Sequence, residues 1–182
     1  QSEYLTEALD SVLNQTFQDF EVIIVNDGST DNTDDVARSY LSRDKRVRYY
    51  CKENEGLSAA RNYGIERCAG DFILPLDSDD FIDKDYAKLA VALFHNNPNL
   101  KLVYGKSELF GKEAGEWKIP DFSTFGILFQ NLIYCSAIFK KQDFIAIGGY
   151  NENMKYGWED WDLWLRLISS KEQVYKIPQT MF

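Results

Sequence analysis

An aspartate inside the apolar arc of a helix is the first residue here that could do chemistry. In Trp158-Glu159-Asp160-Trp161-Asp162-Leu163-Trp164-Leu165-Arg166-Leu167-Ile168, taken as a helix at about 100° per residue, Asp160 falls among Trp161, Leu163, Trp164, Leu165, Leu167 and Ile168. Glu159, Asp162 and Arg166 gather on the opposite, polar side, where Asp162 and Arg166 are four apart and can pair in solvent. Burying an unpaired carboxylate disfavours its charge and raises its pKa. Such a group is suited to taking a proton at neutral pH. The competing reading is a first-turn acid held by the helix dipole.

Two acidic motifs follow apolar runs that read as strands. Asp27 begins Asp-Gly-Ser-Thr-Asp after Val22-Ile-Ile-Val. It could accept two donors from a base or ribose, with Gly28 letting a ligand come close, or it could form an Asx-turn that caps the next helix. Asp77-Ser78-Asp79-Asp80 follows Phe72-Ile-Leu-Pro-Leu76, and three carboxylates within four residues repel one another unless a cation sits between them. Hard oxygen ligands suit Mg²⁺ or Mn²⁺. Against this stands a capping role for Asp79 or Asp80 at a helix starting near Phe81. Arg61 repeats the Asp160 pattern with the opposite sign. It falls within the packed arc of Leu57, Ala60, Gly64, Ile65 and Cys68, with Ala59, Asn62 and Glu66 opposite. Small residues at 60 and 64 allow close packing on a sheet, so Arg61 should reach toward the strand ends. There it needs a ligand phosphate or a carboxylate such as Asp27 or Asp77.

The elements that must position these groups alternate. Helices are expected over 3–14 (capped by Ser2), 34–41, 58–68, 83–94 and 140–146, and from Trp158 onward. Strands are expected over 21–26, 47–51, 71–76, 102–110, 133–139 and 174–182, with a polar loop or hairpin over 111–121. This order implies an α/β fold, a doubly wound, mostly parallel sheet flanked by helices, with ligands at the carboxyl ends of the strands. The chain opens on a helix where such sheets open on a strand, so the first strand is expected to be missing. Residues 1–182 read as a single domain, cut from a longer protein at both ends.

Composition narrows the classes. The 182 residues with 45% hydrophobic content suffice for one core. A net charge of −9 argues against nucleic acid and against broad attraction to anionic membranes, and an acidic protein handling phosphorylated ligands needs a divalent cation. Cys51, Cys68 and Cys135 are odd in number and far apart, which suits free thiols in a reducing compartment. His95 is the single histidine and falls at a helix end, which makes a Ser-His-Asp or Cys-His enzyme improbable. No run spans a bilayer and no signal peptide is visible, so a cytoplasmic location fits, with peripheral contact at the inner face of a membrane left open.

Four ordered motifs together resemble the nucleotide-sugar core of the family-2 inverting glycosyltransferases with the GT-A fold. They are Val25-Asn-Asp-Gly-Ser-Thr-Asp31, Asn54-Glu-Gly-Leu-Ser-Ala-Ala-Arg-Asn62, Leu76-Asp-Ser-Asp-Asp80, and Gly148-Gly-Tyr150 followed by Gly157-Trp-Glu-Asp-Trp-Asp162. The resemblance implies that Asp27 holds the uracil of a UDP-sugar donor, Arg61 braces the nucleotide region and Asp77 contacts ribose or the metal shell. It further implies that Asp79 ligates Mn²⁺ or Mg²⁺ on the diphosphate and that Asp160 deprotonates an acceptor hydroxyl on a saccharide or lipid-linked saccharide. The chain lacks the Gln-x-x-Arg-Trp of processive synthases, which favours single additions. Three other classes compete: a GT-A-like nucleotidyltransferase, for which no Gly-rich triphosphate loop is visible; a phosphohydrolase with a strand-end Asp nucleophile; and a non-catalytic sugar-nucleotide-binding fragment.

Overall fold

The computed structural model describes residues 2–182. The β-branched run from Val22 builds β1 (Val22–Asp27), which lies parallel to β2 (Val47–Lys52), with Val22 opposite Val47 and Asp27 opposite Lys52. A parallel pair needs a crossover, supplied by α2 (Thr33–Arg43). α1 (Ser2–Leu13) buries Leu5, Ala8 and Leu9, and its leucines share a core with Ile24, Ala37, Tyr40 and Val47. α3 (Leu57–Arg67) packs on β1, and Gly64 permits the close approach, because a β-carbon there would sit 3.1 Å from Val25 Cγ2.

The second sheet centres on β4 (Leu102–Leu109). β3 (Phe72–Ile73) pairs with β6 (Ile138–Lys140), and β6 pairs with β4. β5 (Gly115–Trp117) forms a hairpin with the far end of β4, and β7 (Val174–Thr180) runs parallel to β4. α4 (Tyr86–Asn96) buries Tyr86, Ala90 and Phe94 in one core with Val103 and Ile138. α5 (Lys141–Ala146) and α6 (Glu159–Leu167) contribute Phe144, Leu163, Trp164 and Leu167 to another, with Leu102, Tyr104 and Phe139.

The α/β class and the alternation of elements match the sequence reading, but the sheet is less parallel than expected. Among the described residues, β1–β2 and β4–β7 are parallel, whereas β3–β6, β4–β5 and β4–β6 are antiparallel. The reason is the connection. The β4–β5 hairpin reverses the chain, and the long connection through the 3-10 turn at Gly126–Leu128 carries it back so that β6 runs in the direction of β5, between β3 and β4 and antiparallel to both.

Two strands are shorter than their apolar runs. β3 stops at Ile73, two residues before Pro75, which has no N–H for a ladder. The run 133–139 becomes strand only from Ile138, after a turn in which the Ala137 amide donates to the Tyr134 carbonyl at 3.2 Å. Cys51, Cys68 and Cys135 are free thiols, and His95 lies in the last turn of α4. Among the described residues no helix is long and apolar enough to cross a membrane.

Candidate active site

Asp27 closes β1, yet it does not cap α2. The first amide of α2 is met instead by Asp31, which stands one residue before the N-cap Asn32 and accepts from Thr33 through its Oδ1 at 3.1 Å, while Asn26 Oδ1 takes the Ser29 amide and closes the turn after the strand. Asp27 reaches across to the turn before α3. Its Oδ1 accepts from Lys52 Nζ at 2.8 Å and the Glu55 amide at 3.1 Å, and its Oδ2 from the Gly56 amide at 2.8 Å. Burial alone would raise its pKa. The donations from Lys52 and the two amides outweigh that and hold it below the ordinary carboxylate value. With roughly four lone-pair sites on a carboxylate, three are filled and Oδ2 keeps room for one further donor.

The acidic motif after β3 lies in a turn in which the Asp80 amide donates to the Asp77 carbonyl at 3.2 Å. α4 begins only at Tyr86, too far along for Asp79 or Asp80 to cap it. Asp77, Asp80 and Cys135 bring one ligand atom each to within 4.8 Å of one another. Asp79 is exposed and lies outside that group. Burial, with Asp77 and then Asp79 beside it, pushes Asp80 up to about 6. Burial and Asp77 also push the Cys135 thiol up to about 12, so at neutral pH it keeps its proton and offers little to a metal. Hard carboxylate oxygens in mutual repulsion fit Mg²⁺ or Mn²⁺.

Arg61, in the second turn of α3, does turn inward, with 9% of its side chain exposed. Its Nη2 donates to Asp77 Oδ1 at 2.7 Å and its Nη1 to Glu159 Oε1 at 2.8 Å. Of the two carboxylates the sequence offered as partners, Asp77 is engaged and Asp27 is not. The second partner corrects the helical wheel. Glu159 is not on the polar face of α6; it is 7% exposed and paired. The buried arc is set by Leu163, Trp164 and Leu167. Leu165 is exposed and Trp161 only half-buried, and counting both as core swung the wheel away from Glu159. The pair Asp162–Arg166 forms as expected, at 2.6 Å.

Asp160 is half-buried in the first turn of α6, just after Trp158, whose backbone stands in the left-handed region at φ 68°. That conformation is rare for a bulky residue and sets the direction in which the helix begins. Asp160 Oδ2 accepts from Asn131 Nδ2 at 2.8 Å, and Oδ1 from the Trp161 amide at 2.7 Å. Burial nonetheless raises its pKa against both donations, and Glu159 adds to the rise. Asn131 belongs to the segment after the 3-10 turn, which Trp161 also holds by donating from Nε1 to the Ile127 carbonyl at 2.6 Å. Asn62, placed by the wheel on the outer side of α3, anchors the 148–156 loop. It accepts from the Tyr150 amide and donates to the Tyr150 carbonyl. Sequence reasoning set Glu159 on the polar face, read Cys135 only as a free thiol, and passed over Asn131 and Lys52. Only Glu159 and Lys52 left a trace in the sequence, the one beside Asp160 and the other closing an apolar strand.

The fold is an α/β domain with acids at strand ends and one desolvated aspartate at a helix start. Residues 1–152 match the family model for glycosyl transferase family 2, and residues 127–181 match that of the N-terminal domain of galactosyltransferase. The chain belongs to glycosyl transferase family 2 and has the GT-A fold. It is 32% identical over 168 residues to a chondroitin synthase of Pasteurella multocida, covering 90% of this chain and 17% of that protein. It is 31% identical over 177 residues to an uncharacterized glycosyltransferase of Rickettsia typhi, covering 91% of this chain and 54% of that one. In fold it is similar to S. aureus TarS 1-349 in complex with UDP, at TM-score 0.79 and 24% identity over 99% of this chain and 56% of that one. The mannosyltransferase PcManGT of Pyrobaculum calidifontis, in complex with GDP-Man and Mn²⁺, superposes at TM-score 0.76 and 17% identity over 100% of this chain and 53% of that one. The chain thus spans only part of each of these relatives.

Proposed function

We propose that this chain is the donor-binding and catalytic part of an inverting transferase. It would move a hexose or N-acetylhexosamine from a UDP-sugar to a hydroxyl of a saccharide or lipid-linked saccharide, in cell-surface polysaccharide synthesis on the cytoplasmic side of a membrane. The observation that carries this reading is the half-buried Asp160, held by Asn131 and the Trp161 amide and next in sequence to Glu159, whose bridge through Arg61 reaches Asp77 beside the strand-end acids. Asp27 offers its remaining acceptor site to the uracil. Asp77 serves the ribose or the metal shell, and Asp79, which the motif offers as the metal ligand although it lies outside the Asp77–Asp80–Cys135 group, would act beside Asp80. A bound Mn²⁺ or Mg²⁺ would supply neutralising positive charge for the leaving diphosphate.

As the acceptor oxygen bonds to the anomeric carbon, its proton passes to an Asp160 oxygen. The bond from that carbon to the diphosphate oxygen breaks on the opposite face, and UDP departs with the bonding pair. One base and one displacement invert the configuration. The complexes of TarS with UDP and of PcManGT with Mn²⁺ lend support to the donor and cation classes.

Calorimetric titration tests the reading. UDP should bind more tightly than ATP, and more tightly with Mn²⁺ or Mg²⁺ than with EDTA, and Asp79→Ala should erase the metal effect. Equal UDP affinity with and without the cation would remove the metal assignment.

A further inference from the structure

Glu159 and Asp160 are adjacent acids in one helical turn, yet their surroundings differ. Glu159 is committed to Arg61, and Asp160 to the neutral donors Asn131 and the Trp161 amide. Arg61 stands between two carboxylates from distant parts of the chain, Asp77 in the turn after β3 and Glu159 at the start of α6. Its planar fork can give a separate nitrogen to each, which a lysine ammonium cannot do with the same fixed geometry. The bridge has two consequences. It commits Asp77 Oδ1, leaving Oδ2 for a ligand, and it divides the charge of Arg61 between the donor side and the base helix. Burying the charges of Arg61 and Glu159, with Asp77 partly exposed, is a poor way to gain stability, so the use of the bridge lies in the geometry it fixes.

We propose that Glu159 is a positioning residue and not a second base. Through Arg61 it sets the orientation and effective charge of Asp77 at the cation-binding acids, so that cation-dependent donor binding and the placement of Asp160 are coupled through a single guanidinium. The inference rests on the roles given above to Asp77 and Asp160. If Glu159 loses its charge, Arg61 keeps its full positive charge beside Asp77, which should then attract a cation less well.

The test is UDP titration at graded Mn²⁺ in the full-length protein, comparing Glu159→Gln with Asp160→Asn, and turnover at saturating Mn²⁺ and UDP-sugar. Glu159→Gln should raise the Mn²⁺ concentration needed for half-maximal UDP binding about tenfold, the scale of one lost charge-assisted hydrogen bond. It should lower turnover less than Asp160→Asn does. Asp160→Asn removes a neighbouring charge without touching the bridge and should leave the Mn²⁺ requirement unchanged. An unchanged Mn²⁺ requirement in Glu159→Gln overturns the proposal, whatever happens to turnover. Failure of the base reading would show separately, as Asp160→Asn retaining its rate. Should Glu159→Gln fail to fold, Arg61→Lys keeps the charge and removes the fork. The same shift supports the coupling, and an unmoved requirement refutes it.

Discussion

Asp27 and Asp160 are the same side chain put to opposite uses. At the end of β1, Asp27 collects an ammonium and two backbone amides, so its charge is held to lower pH than usual. At the start of α6, Asp160 is also hydrogen-bonded, by Asn131 and the Trp161 amide, yet burial wins and its affinity for protons rises. Two things differ, the deeper desolvation of Asp160 and the ammonium on Asp27. Asp27 has Lys52 directly on it, whereas the nearby cation Arg61 is committed to Glu159 and Asp77. A carboxylate that stays charged is suited to holding a ligand, and one that binds protons more readily is suited to general-base work. Under the proposed function, the two halves of the molecule would separate these tasks.

The largest test of that contrast is Asp160→Asn, which keeps shape and volume but cannot take the proton. Turnover should fall by about 10²–10⁴-fold with UDP affinity intact, as measured by steady-state kinetics and calorimetry together. Near-normal turnover would erase the contrast.

Asp27→Asn should act on the other half. Lys52, with 11% of its side chain exposed, would lose its charged partner on β1, at a cost of about 1–3 kcal/mol in thermal or denaturant unfolding. UDP affinity should fall with it, while turnover at saturating donor changes little.

A pH series sharpens the comparison. As the proposed base, Asp160 would work only when deprotonated, and its pKa is raised, so turnover should decline on acidification at a higher pH than an ordinary carboxylate would give. UDP affinity measured in EDTA, which takes the cation-binding acids and the raised Asp80 out of the comparison, should persist further into acid, because the pKa of Asp27 is lowered. The stability terms have opposite signs. The contribution of Asp27 is present above its unfolded pKa and is lost as pH falls through its lowered folded value. Asp160 favours the folded state more once protonated, so its term becomes more favourable as pH falls through its raised folded value. Coincident acid limbs for turnover and UDP affinity would contradict the split.

The smallest effect is expected at Asp162. Its pair with Arg166 is partly solvated and joins residues four apart on the outer side of α6. Asp162→Asn should cost at most about 1 kcal/mol in unfolding free energy and leave turnover and UDP affinity alone. A loss of turnover there would mean that the outer face of α6 also serves the site.

Much of the architecture was legible because it is local. The β-branched run from Val22, the stripe of Leu5, Ala8 and Leu9, and the small residues Ala60 and Gly64 each report a period or a packing distance that a few neighbours determine. The inward turn of Arg61 and the burial of Asp160 follow from the same periodicity. Strand direction was harder, since it depends on which segments lie side by side. β6 could be read as apolar, but not as the strand entering antiparallel between β3 and β4.

By itself, the sequence determined the order of elements, the inward turn of Arg61 and the acids at the strand ends, because each is written in the spacing of a few residues. On α3 it misplaced Leu57, which is exposed, and Ala59, which is buried. Only the tertiary structure decided which charges meet. Arg61 and Glu159 are 98 positions apart, and Asn131 and Asp160 are 29 apart. A glutamate beside polar neighbours reads as a solvated residue until a distant guanidinium arrives to offset the cost of burying it. No helical period encodes that arrival. It follows from packing α3 and α6 around one site, where electrostatic pairing overrides the preference of each helix for a polar outer face.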